Sequence, residues 1–104
     1  MHNVTLAQIS AFERTVRLGG VHAAARHLGL TQPAVSQRIR ELEKALGAKL
    51  FERHGRTLSL RPDGSALLLY ADQLLNTASE MTVRLRKFDG SPEAAESVRF
   101  AWPA

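Results

Sequence analysis

The chain has 104 residues, with 14 Lys/Arg against 10 Asp/Glu, a formal net charge of +4, 44% hydrophobic but only 6% aromatic residues, and no cysteine. That length suits one small domain plus an appendage, without room for a second domain of catalytic size, and the aliphatic balance suits a modest core of helix faces. Lack of cysteine excludes disulfides, thiolate zinc sites and cysteine nucleophiles; with no apolar run near the roughly 20 residues of a membrane span and no signal-peptide pattern, the expected setting is the cytoplasm.

Thr5 and Gln8 have capping-box spacing, so a first helix is predicted to start there. Its apolar stripe, Leu6, Ile9, Phe12 and Val16, runs until Gly19-Gly20 interrupts it. A short alanine-rich helix, His22 to Leu28, closes at Gly29, and Ala23, Ala24 and Ala25 leave room for a neighbouring helix to approach. Leu30 alone separates that stop from Thr31, a good N-cap, with Pro33 in the first turn after it. Two helices joined so tightly read as a helix-turn-helix.

The third helix is predicted over about Gln32 to Leu46, with Val35, Ile39, Leu42 and Leu46 on its apolar face. Pro33, Gln37, Arg40 and Lys44 point the other way, flanked by Ser36 and Glu41. After Gly47, the runs Lys49 to Arg53 and Arg56 to Leu60, separated by His54-Gly55, predict a small β-hairpin wing.

Pro62 and Asp63 open a last helix expected to reach about Asp89, on the order of 40 Å at 1.5 Å per residue. Leu67, Ala71, Leu74, Ala78, Met81, Leu85 and Phe88 alternate steps of 4 and 3, the spacing of a pairing seam, widened by Leu68 and Leu75. A helix that long outruns a 60-residue domain, so part of the seam needs a partner. Gly90-Ser91-Pro92 should end it, and the alternation of Val98, Phe100 and Trp102 resembles a first strand without its sheet, so the chain reads as a fragment. The expected fold is mainly α: a winged helix-turn-helix of three helices and a short β-hairpin in residues 1–61, a long dimerisation helix in 62–89, and in 90–104 a hinge and a strand-like start.

Charge is divided unequally. Residues 1–61 carry ten Lys/Arg against four Asp/Glu (+6), and 62–104 carry four against six (−2). The basic half is where a polyanion would sit. A helix fits the major groove of B-DNA, where each base pair shows its own donors, acceptors and methyl groups. Gln32, Ser36, Gln37 and Arg40 lie in the first turns of the third helix, away from its apolar stripe, and offer amide, hydroxyl and guanidinium groups. Pro33 offers an apolar contact for a thymine methyl. Arg53 and Arg56 flank the hairpin tip, within reach of a phosphate or a narrow minor groove. Thr31 is read as a helix cap with a second role as phosphate donor, and Arg38 as an ion-pair or phosphate group.

Together, Ala24-Ala25, LGLTQPAVS from Leu28 to Ser36, Ile39, Leu42-Glu43, Leu46-Gly47 and Leu50-Phe51-Glu52-Arg53 resemble the amino-terminal signature of LysR-type transcriptional regulators, over a stretch from Leu6 to Phe88. The resemblance implies a dimer formed by antiparallel packing of linker helices, bound to an interrupted inverted repeat in a promoter. Carried over by position, it implies base contacts from Gln32, Pro33, Ser36 and Gln37 and a wing arginine at Arg56. It also implies that 62–89 is a linker helix and that 90–104 holds a hinge and the start of a larger small-molecule-sensing, effector-binding domain, absent here, through which an effector would act; whether dimers pair into tetramers in the full-length protein stays open. Three positions depart from the pattern. Gln37 stands where many members have Arg, which exchanges a guanine fork for an amide contact suited to adenine. His22 stands where Ser or Thr often caps the second helix, and Arg61 where Thr often caps the linker helix.

Other function classes find little support. His2, His22, His27 and His54 form no metal-ligand motif, and no glycine-rich phosphate loop or nucleophile motif occurs, so neither an enzyme nor a cofactor is expected. A pure dimerisation module would leave the basic helix face and wing unexplained. An architectural DNA binder would not need the mixture of amide and hydroxyl groups beside arginine.

Overall fold

The computed structural model describes residues 3–88 and 101. In chain order it contains α1 (Leu6–Leu18), α2 (Val21–Leu28), α3 (Gln32–Leu46), β1 (Phe51–His54), β2 (Thr57–Leu60) and α4 (Pro62–Lys87). This is the expected winged helix-turn-helix with its appended helix. Helix α4 ends at Lys87, with Phe88 as its extended C-cap, two residues short of the expected Asp89; the strand-like Val98, Phe100 and Trp102 and the hinge at 90–92 lie outside the described residues.

Local chemistry sets most boundaries. The Thr5 backbone N–H donates to Gln8 Oε1 and the Gln8 N–H donates to Thr5 Oγ1, each at 3.1 Å, so the capping box is complete. The α2–α3 turn is fixed from both sides. Gly29 takes the left-handed conformation (φ 67°) and Leu30 N–H donates to Ala25 O at 2.9 Å; Thr31 Oγ1 then accepts from Ala34 N–H at 3.2 Å and opens α3. Helix α2 starts one residue earlier than expected. Gly20 is its N-cap, without a side-chain bond, so His22 lies in the first turn.

The core sits where α1, α2 and α3 meet. Phe12, Val35, Leu42 and Leu50 are fully buried, each contributing about 1.5–3 kcal/mol by leaving water. Ala24 and Ala25 are buried too, the small surfaces that let α2 approach its neighbours. The rings of Phe12 and Phe51 lie 5.5 Å apart and tie the wing to the core.

The hairpin pairs Phe51 with Leu60 and His54 with Thr57. Its turn is therefore Gly55-Arg56, one residue later than the sequence suggested, with Gly55 at φ 62°. Thr57 Oγ1 donates to the His54 carbonyl at 2.9 Å and closes the turn.

Helix α4 leaves the wing at a close contact. Arg61 N–H donates to Leu50 O at 2.9 Å, and a Cβ on Gly64 would fall 2.5 Å from that same oxygen and 2.5 Å from Leu60 Cδ1. The buried Glu13 carboxylate pairs with Arg14 (2.9 Å) and Arg17 (3.3 Å), and Arg17 also pairs with Asp72, strapping α1 to α4. The expected pairing seam needs correction here. Ala71 is 0% exposed within its own chain, and Leu67, Leu68 and Leu75 pack against the same core, so Ala71 has no surface left for a partner and Leu67 little.

Candidate nucleic-acid interface

The first turns of α3 face outward beside the wing. Thr31, Gln32, Pro33, Gln37 and Arg40 are exposed and Ser36 is half-buried. Gln32 and Ser36 share a cleft of about 620 Å³ with Arg53 and Arg56, its wall completed by the start of α2, including His22. Among the described residues no carboxylate lines this cleft. A second hollow of about 290 Å³ runs along the other side of Ser36 and includes Arg40, Glu43, Lys49 and Arg53. Thr31, Pro33 and Gln37 line neither, but stand on the exposed rim of the same helix.

The acids of the basic half, residues 1–61, are mostly occupied elsewhere. Glu13 holds Arg14 and Arg17, Glu52 holds Arg61 at 2.6 Å, and Glu43 Oε2 accepts from Leu50 N–H at 2.8 Å. Meanwhile Arg38, Arg40, Lys44, Lys49, Arg53 and Arg56 form no ion pair among the described residues. Cations thus outnumber carboxylates on α3 and the wing, these six against Glu41, Glu43 and Glu52, the excess that a polyphosphate backbone requires.

Three side-chain contacts pre-arrange the α3 surface. Gln32 Nε2 lies 2.5 Å from His22 Nδ1. Arg40 donates to Gln37 Oε1 at 3.0 Å, and Gln37 Nε2 donates to Glu41 Oε2 at 3.4 Å, so both ends of the Gln37 amide are engaged within one helix face. Sequence reasoning missed His22 and Lys49 as parts of this surface. Lys49 had a local signal, being a cation next to the wing; His22 had none, because it meets Gln32 only through the folded α2–α3 turn.

On α4 a second apolar stripe faces solvent. Tyr70, Leu74, Met81, Leu85 and Phe88 are between 45% (Leu74) and 67% (Leu85) exposed, whereas Ala78 is half-buried. Tyr70 was absent from the predicted seam. No helix among the described residues is long and apolar enough to cross a membrane.

Known proteins place this geometry. The family described as bacterial regulatory helix-turn-helix protein, lysR family, matches residues 6–65. The HTH-type transcriptional regulator HdfR of Yersinia pestis (strain Pestoides F) is 57% identical over 54 residues, which cover 52% of this chain and 18% of that relative. The match thus spans under a fifth of that relative's length. Among solved structures, the BenM_DBD/catB site 1 DNA complex superposes with a TM-score of 0.77 at 28% identity, covering 85% of this chain and 99% of that one. The CbnR_DBD-DNA complex does so with a TM-score of 0.74 at 31% identity, covering 81% and 97%. With the family's sequence pattern running from the first helix into the fourth, and the fold shared over 85% of its length, this chain belongs to the lysR family of bacterial regulatory helix-turn-helix proteins.

Proposed function

We propose that this chain reads the sequence of duplex DNA as a homodimer, α3 lying in the major groove and the wing on adjacent backbone or minor groove. The observation that carries this reading is the shared cleft of Gln32, Ser36, Arg53 and Arg56, open to solvent and lined by no carboxylate among the described residues. Base edges fall to Gln32, Pro33, Ser36 and Gln37, while Thr31, Arg40, Arg53 and Arg56 hold phosphates and fix the register. Similar domains in complex with DNA, those of BenM and CbnR, support DNA as the partner.

The outward stripe of Tyr70, Leu74, Met81, Leu85 and Phe88 meets its counterpart on a second copy, with Ala78 at its edge. Two copies related by a two-fold axis require two half-sites related the same way, an interrupted inverted repeat. Residues 1–61 are the reading head, 62–89 the pairing helix and 90–104 the lead into a further domain, through which any small-molecule effector acts. The chain itself catalyses nothing and works in the cytoplasm, on the nucleoid.

The test is a selection of bound duplexes from a random pool at physiological salt. A two-fold related site supports the reading. A pool that stays random under binding by a well-folded dimer refutes it.

A further inference from the structure

We infer that His22 is a positioning residue for base choice: by accepting one N–H of Gln32 it leaves that amide with one acceptor and one donor for the DNA, the complement of adenine. This rests on the reading of Gln32 as a base-contacting residue. The His22 ring and the Gln32 amide belong to different helices, brought to 2.5 Å across the α2–α3 turn, and both are exposed on the face that borders the cleft.

A glutamine amide carries one carbonyl oxygen and two N–H bonds. An amide nitrogen has N–H bonds to donate and no lone pair free to accept, so the contact of Gln32 Nε2 with Nδ1 calls for the His22 tautomer protonated at Nε2, in which the amide donates and Nδ1 accepts. Of the two N–H bonds, one lies beside Oε1 and the other points away from it. Giving the far one to His22 keeps the near one and Oε1 together on one edge. Adenine presents N7 as acceptor and N6–H as donor in the major groove, which that edge matches at both points. Guanine presents two acceptors, N7 and O6, and would need both N–H bonds, one of which His22 holds. The contact therefore favours adenine over guanine without His22 touching a base. It also fixes a side chain with three rotatable bonds before DNA arrives, so less freedom is lost on binding.

The experiment uses the 104-residue chain and the operator recovered from the random pool. Gln32→Ala first identifies the base pair at which discrimination is lost. Affinities for A·T and G·C at that pair are then compared for wild type, His22→Leu, which removes the acceptor, and His22→Asn, whose side-chain oxygen falls near the place of Nδ1. His22→Leu should lower the adenine preference at that pair by about 2- to 10-fold, with discrimination elsewhere unchanged, and His22→Asn should restore it. Full wild-type preference in His22→Leu, or an equal loss at every base pair in both variants, overturns the inference while Gln32 still reads a base. If Gln32→Ala leaves discrimination intact at every pair, Gln32 is no base reader, and the inference falls with that reading.

Discussion

Substituting Gly64 with alanine sets two general effects against each other, and the structure decides the sign. In an exposed helix the change stabilises by up to about 1 kcal/mol, because alanine loses less backbone freedom. Here the new Cβ falls 2.5 Å from Leu50 O and 2.5 Å from Leu60 Cδ1, so the helix must retreat by about 0.9 Å or more to restore ordinary contacts of 3.4–4 Å. The leucine tip can turn, but Leu50 O belongs to a buried residue and accepts from Arg61 N–H at 2.9 Å. Overpacking of this kind costs about 1–3 kcal/mol, and weakening the Arg61–Leu50 hydrogen bond adds about 1 kcal/mol. The net expectation is destabilisation by about 1–3 kcal/mol. Urea unfolding of wild type and Gly64→Ala at one fixed protein concentration measures it, the fixed concentration being needed because dimerisation adds to apparent stability. A variant as stable as wild type, or more stable, would refute the claim that α4 is seated on the wing through this glycine.

Other substitutions separate the parts of the account. Arg53→Ala and Arg56→Ala should each weaken binding to operator and scrambled duplexes alike and lower the slope of log affinity against log salt by about 1, read by titration across salt concentrations. Leu74→Asp combined with Met81→Asp should shift the chain from dimer to monomer in sedimentation equilibrium, since it places charge in the centre of the outward stripe. Thr31→Ala removes the cap of α3 and should cost about 1 kcal/mol in thermal or urea unfolding.

How legible each feature was in the sequence depended on whether its cause was local. The Thr5–Gln8 capping box, the glycine ends of α2 and α3 and the Thr31 cap each involve residues within a few positions of one another, and each formed as expected. The hairpin turn slipped by one residue because its register is set by cross-strand pairing of Phe51 with Leu60, which turn residues alone do not specify. On α4 the 4-and-3 spacing located the apolar residues but merged two stripes into one. With 3.6 residues per turn, the inward stripe through Gly64, Ala71 and Leu75 lies about 90° from the outward one through Tyr70, Leu74 and Met81. Periodicity gives the angle of a side chain, not what waits on that side. Tyr70 was overlooked for that reason, and the Gly64 contact with Leu50 and the approach of His22 to Gln32 depend on packing between elements.

The most direct test of sequence reading by α3 is equilibrium titration of the selected operator and a scrambled duplex with wild type and Gln37→Ala. The account predicts that wild type holds the operator roughly 10³-fold or more tighter than the scrambled duplex, and that Gln37→Ala loses affinity for the operator alone. Equal affinity of wild type for the two duplexes, falling steeply with salt, would contradict it.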